Sequence, residues 1–154
     1  MPFHDSTICE NGHVLSRTEA NYSPFCDICG AKTYSFCPTC GHQICGKWFN
    51  PRVRSASHKY RKPYHCCNCS EAFPWTKKII DNAVKLAASD DLLNDESKAI
   101  IKNAIPLLVT ETTETPQAVV DFKRLIPSMS EDIRSSIFHL LLDAVCDFAK
   151  QRLF

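Results

Sequence analysis

Three Cys-x-x-Cys pairs constrain this chain more than any other feature. They are Cys26-Asp27-Ile28-Cys29, Cys37-Pro38-Thr39-Cys40 and Cys66-Cys67-Asn68-Cys69. Two intervening residues let both thiolates of a tight turn point at one metal ion. Cys9 and His13, with three residues between them, supply a fourth pair. Four pairs make two tetrahedral sites with four protein ligands each. Zinc sites closed in this way are structural, whereas catalytic ones keep a position open for water. The spacing therefore predicts two structural zinc ions, held by Cys9, His13, Cys26, Cys29, Cys37, Cys40, Cys66 and Cys69.

A disulfide framework is the competing explanation for ten cysteines. It belongs to secreted proteins. The opening Met-Pro-Phe-His-Asp-Ser has no basic segment followed by an apolar one, so no secretory signal is read there and a cytoplasmic location is expected. No apolar run approaches the roughly 20 residues of a membrane span.

Two groupings of the pairs are open. A sequential one joins the first pair to the second and the third to the fourth, giving tandem zinc ribbons. A cross-brace joins the first to the third and the second to the fourth. The short, β-prone link Lys32–Phe36 suits one ribbon ending as the next begins, and favours the sequential order. Cys45, His42, His65 and Cys67 compete as ligands. Cys67 is the poorest of them, because side chains of adjacent residues diverge and Cys66 and Cys69 flank it. His4 is a substitute for His13.

The chain changes character near residue 76. Nine cysteines and all four glycines lie before it. After it glycine is absent and apolar residues recur at helical spacing. The fold class expected is a small zinc-stapled β region (tandem zinc ribbons, 1–75) followed by an all-α region of about four helices (76–154). The first helix is expected from Lys77 to Ala88, with Thr76 as cap and Trp75 stapled to Ile80. Packing is the expected role of Trp75, with an exposed recognition aromatic as the alternative. The second helix starts near Asn94 and meets Pro106, which must kink or end it. The third has Thr115 as cap, Pro116 in its first turn and Pro127 as its stop. The fourth is expected to run from Ser130 to about Arg152, about 33 Å. Its apolar stripe, from Ile133 to Ala149, is wider than one neighbouring helix needs. Either the other helices wrap it, or it docks a protein partner or a second copy of the chain. His139 and Cys146 on this helix read as packing residues.

The excursion between Cys40 and Cys66 carries Lys47, Arg52, Arg54, Lys59, Arg61 and Lys62 and no acid from 47 to 62. Trp48, Phe49 and Tyr60 are interleaved. Cations for phosphates and rings for stacking are what nucleic-acid surfaces use, and a solvated loop packed on its own ribbon has the same composition. Net charge tempers the first reading. Residues 1–78 hold 10 Lys and Arg against 5 Asp and Glu, and residues 79–154 hold 8 against 12. Four- and three-thiolate zinc sites would lower the first half to about +2. That leaves a local basic loop, not a basic face.

Three stretches stand out together: Ile8-Cys9-Glu10-Asn11-Gly12-His13-Val14, Phe25-Cys26-Asp27-Ile28-Cys29-Gly30-Ala31-Lys32-Thr33 and Cys37-Pro38-Thr39-Cys40. Tyr64, Cys66-Cys67-Asn68-Cys69 and Phe73-Pro74-Trp75-Thr76 extend the set. In these stretches the chain resembles a bacterial family of small zinc-ribbon proteins, catalogued as domain of unknown function 2321. The helical tail, with Thr115-Pro116, is similar in character. The resemblance implies zinc at the same eight residues and no particular activity. Two features depart from the pattern: Cys45 and Cys67 stand at non-cysteine positions, and the 47–62 loop is unusually basic.

No nucleophile, base and orienting group stand together, and no glycine loop for phosphate occurs. The expectation is a non-catalytic adaptor or interaction module with two structural zincs. The alternative is a nucleic-acid-binding regulator that uses the basic loop.

Overall fold

Tight turns, not long strands, build the N-terminal half. The computed structural model describes residues 3–48, 52 and 60–154. The chain divides into two units, Met1–Lys77 and Lys78–Phe154. Among the described residues the first holds five short strands: β1 (Phe3–Asp5), β2 (Thr7–Cys9), β3 (Val14–Ser16), β4 (Thr33–Tyr34) and β5 (Cys45–Trp48). β1 pairs with β5, and β2 lies between β3 and β4, all antiparallel. The short link between two cysteine pairs is thus a strand: Tyr34 and Thr33 pair with Ile8 and Cys9. Gly46 is required in β5, because a Cβ there would collide with the carbonyls of Asp5 and Arg17.

Strands of two to four residues bury little. Among the described residues the core of this unit is a cluster of six buried side chains, Ile8, Cys37, Ile44, Cys66, Phe73 and Trp75. Buried hydroxyls add fixed bonds: Ser6 donates to the Ile44 carbonyl at 2.9 Å, and Thr7 and Ser35 share a bond at 3.0 Å.

The second unit is helical: α1 (Pro74–Ala88, which begins in the first unit), α2 (Asp95–Val109), α3 (Thr115–Leu125), α4 (Glu131–Leu141) and α5 (Asp147–Leu153). A 3-10 turn, Ile126–Ser128, contains Pro127 and follows α3. Ile101, Ala104, Ile105, Leu108, Val119, Phe122, Ile137, Leu141 and Ala149 are among the residues of one buried core.

Four expectations are corrected. α1 begins at Pro74, three residues early, because proline suits the first helical turn, where its missing N–H costs nothing. Thr76 therefore lies inside the helix and donates to the Tyr64 carbonyl at 2.6 Å instead of capping. Trp75 is only 1% exposed, in keeping with the packing role expected of it. Thr115 is the first residue of α3, not its cap. Its hydroxyl donates to the Leu107 carbonyl and accepts from the Thr112 amide, at 2.9 and 2.8 Å.

The fourth correction is the long final helix, which is two. The Cys146 amide, which a continuous helix would bond to Leu142, donates instead to the Leu108 carbonyl at 2.9 Å. Ala144 and Val145 both bond back to Leu141, closing α4. The break lets Ile137, Leu141, Val145 and Ala149 all enter one core, so most of the wide stripe is covered within the unit. α2, by contrast, passes through Pro106 and ends three residues later.

Asp90, 2% exposed, ties the unit together after α1. Its carboxylate accepts the Leu92 amide at 3.0 Å and the Ser130 amide, at the cap position of α4, at 2.8 Å. Burial pushes its pKa up, but the two amides outweigh that and hold it below the ordinary 3.8. Asp90→Ala should destabilise the helical unit by about 2–3 kcal/mol, since it strips a charge-assisted acceptor from two amides. The carboxylate's contribution is full above about pH 4 and falls away as acid takes the pH through its lowered pKa. Thermal melts of wild type and Asp90→Ala should therefore differ most at neutral pH and converge in acid.

Candidate metal centres

The geometry of each site begins in a repeated turn. In the three Cys-x-x-Cys pairs the first cysteine's amide donates to a carbonyl five residues on: Ala31 for Cys26, His42 for Cys37 and Glu71 for Cys66, at 2.7–2.9 Å. Its own carbonyl accepts from Gly30, Gly41 and Ser70 respectively, at 2.8–2.9 Å. Those three residues have φ of 73°, 76° and 65°. Glycine suits that left-handed region, and Ser70 is the departure from it. Antiparallel bridges Phe25–Lys32, Phe36–Gln43 and His65–Ala72 clamp the turns from outside. The Cys9–His13 turn is tighter: Gly12, at φ 90°, donates to the Cys9 carbonyl.

These turns bring the eight residues into two groups of four, in sequential order. One is Cys9, His13, Cys26 and Cys29; the other is Cys37, Cys40, Cys66 and Cys69. Within each, the ligand atoms lie within 4.8 Å of one another. In the first group Sγ of Cys9 and Cys29 are 3.8 Å apart, and His13 Nδ1 is 3.5 Å from Cys9 Sγ and 3.6 Å from Cys26 Sγ. In the second, Cys37–Cys69 and Cys40–Cys66 are 3.7 and 3.6 Å apart. A tetrahedron with Zn–S of about 2.3 Å and Zn–N of about 2.0–2.1 Å has edges of about 3.8 Å between sulfurs and about 3.6 Å between sulfur and nitrogen. The donor sets fit a zinc ion. His4, His42, Cys45, His65 and Cys67 join neither group.

Each group carries a hydrogen-bond shell that spacing alone did not reveal. Asn11 Nδ2 donates to Cys29 Sγ at 3.4 Å, and Asn68 Nδ2 donates to Cys40 Sγ at 3.5 Å. Both asparagines stand two residues after the first ligand of one pair and reach the last cysteine of the other. Backbone amides of His13, Ile28 and Asn68 donate to Cys9, Cys26 and Cys66 Sγ at 3.3–3.4 Å. The asparagine amide is the leading reason that Cys29 and Cys40 are each lowered to about 6. Burial raises Cys9. At Cys69 the Glu71 amide pulls down, but burial and the thiols of Cys37, Cys40 and Cys66 push it up to about 12. A divalent cation would replace those thiol protons, so metal binding tightens as pH rises. Asn11→Ala or Asn68→Ala should weaken retention at its own site by about 10–100-fold in a chelator competition.

The basic candidates fare unevenly. Lys62 Nζ donates to the Gly12 carbonyl at 2.9 Å and lies 5.4 Å from the centre of the Tyr64 ring. Lys47 lies half-buried in β5, and its amide donates to the Arg17 carbonyl. Arg52 and Arg61 are exposed. Arg54 and Lys59 lie outside the described residues, as does Phe49. Among the described residues no helix is long and apolar enough to cross a membrane.

No curated protein and no solved structure matches the chain significantly. A family match, in contrast, covers residues 3–153. The chain belongs to the family described as an uncharacterized protein conserved in bacteria, domain of unknown function 2321.

Proposed function

We propose that the two groups each hold one zinc ion as tandem, closed, structural zinc ribbons, and that the protein is a non-catalytic binding module. The observation that carries this reading is the completeness of both tetrads. Each group offers four ligand atoms within 4.8 Å of one another, a full tetrahedral set that leaves no position for a water or substrate. What the zinc ions supply is rigidity to a unit whose core, among the described residues, is a cluster of six side chains.

Protein recognition is favoured over nucleic acid by what the rigid turns display. Tyr22, Phe25 and Ile28 flank or sit in the first Cys-x-x-Cys turn and are 62, 62 and 71% exposed. Large apolar side chains at that exposure suit a protein partner more than a phosphate backbone. Leu92, Val120 and Leu142 are also exposed on the helical unit, and each offers apolar surface to a partner or another copy of the chain. The nucleic-acid reading retains exposed Arg52 and Arg61, but Lys62 already serves the Gly12 carbonyl.

Metal analysis tests the first part: two zinc ions per chain are expected, falling to one in Cys29→Ser or Cys40→Ser. One zinc in the wild type, or disulfides among the eight residues, sinks it. Titration with duplex and single-stranded oligonucleotides at low salt tests the second. Binding lost in Arg52→Ala/Arg61→Ala would replace the adaptor reading with the regulator one.

A further inference from the structure

Seven of the ten cysteines belong to the two metal groups, which leaves Cys45, Cys67 and Cys146. Cys146 lies in the helical unit. Cys45 and Cys67, 22 residues apart in sequence, meet: their sulfurs are 3.8 Å apart. Cys45 begins β5, and Cys67 lies between the ligands Cys66 and Cys69 of the last turn. Rigid neighbours hold both. The Cys45 carbonyl accepts the Tyr60 hydroxyl at 3.1 Å, Cys45 pairs with Asp5 across the β1–β5 ladder, and the turn is fixed by its own hydrogen bonds. Cys67 is exposed and Cys45 half-buried.

We propose that Cys45 and Cys67 form a reversible dithiol–disulfide site, distinct from both metal groups, that reacts with hydroperoxides. Cys67 is the thiol a small oxidant reaches first, by its exposure. Its thiolate attacks the peroxide, the O–O bond breaks, and Cys67 becomes a sulfenic acid as water or an alcohol leaves. Cys45, already in contact, attacks that sulfur, forms the S–S bond and releases water. Two thiols give up two electrons and the peroxide takes them. Exchange with a reducing dithiol restores the pair. The two sulfurs are already in contact at 3.8 Å, against a disulfide bond of about 2.05 Å. The product joins β5 to the last turn and closes residues 46–66, which include Lys47, Arg52, Arg61 and Lys62, into a covalent loop.

The test uses the full, metal-loaded chain. Hydrogen peroxide is added in slight excess, remaining thiols are alkylated, and peptides are mapped by mass spectrometry. The expected product is a Cys45–Cys67 linked peptide, formed before Cys146 is oxidised, with bound metal unchanged and the free thiols recovered by dithiothreitol. In Cys45→Ser, Cys67 should stop at a sulfenic acid that dimedone traps. In Cys67→Ser, Cys45 should not react ahead of Cys146. Three results overturn the proposal: oxidation of Cys146 first, linkage of either thiol to a metal-group cysteine, or a third metal ion lost in both serine variants. The metal count in those variants reports the two zinc sites separately, so failure of one idea does not mask the other.

Discussion

Stripping metal from the full chain should unfold the N-terminal unit and leave the helical one standing. In nuclear magnetic resonance spectra, resonances from residues 3–48 and 60–73 should collapse to unfolded positions while those of α2 to α5 hold, and helical circular dichroism should persist. The reason is the imbalance of the two cores. Six side chains, two of them cysteines of the second metal group, cannot offset the ordering of a unit this size, and structural zinc contributes about 10–16 kcal/mol per site. The helical unit buries sixteen side chains in its own core, none of them from a metal group.

The two sites should not contribute alike. Cys37 and Cys66 lie inside the small core against Ile8, Ile44, Phe73 and Trp75, whereas Cys9 and Cys26 are buried outside it. Cys37→Ser should therefore unfold the unit even with the first site loaded. Cys26→Ser should loosen the turns around residues 9–31 and leave the second site filled. Persistence of the N-terminal resonances after complete metal removal would show that the ions are not structural.

What the chain revealed in advance was local chemistry. The spacing singled out eight residues that the fold gathers into two groups of four, and the β-prone link at Lys32–Phe36 favoured their sequential grouping, because both depend on neighbours in sequence. The left-handed turn after each pair went unread: glycine takes that φ at Gly30 and Gly41, and Ser70 takes it as an ordinary residue. The break between α4 and α5 left no such trace. No glycine or proline lies between Leu142 and Cys146, and the helix stops because a carbonyl some 38 positions earlier, on Leu108, takes the Cys146 amide. The Cys45–Cys67 meeting is likewise a product of tertiary placement: each reads as a spare cysteine until β5 and the last turn are brought together. Asn11 and Asn68 were findable, since both occupy the second position after a ligand, the interior of the turn, where a side-chain amide can reach a thiolate across the site.

Trp75→Ala should be the most damaging single substitution in the N-terminal unit outside the metal groups. The indole stacks on Phe73 with ring centres 4.8 Å apart and planes 29° from parallel, and its N–H donates to the Pro63 carbonyl at 2.9 Å. Removing so large a side chain from a packed site costs about 3–5 kcal/mol. In a core of six there is little left to close over the hole. Trp75→Phe keeps most of the stacked area and loses the N–H bond, so it should cost about 1–2 kcal/mol. The damage should reach the metal. Phe73 and Trp75 pack in the same cluster as Cys37 and Cys66, so Trp75→Ala should speed zinc loss to a chelator from the second site more than from the first. Equal acceleration at both sites would mean that the tryptophan supports the unit as a whole. No acceleration would mean that zinc holds the turns without the core behind them.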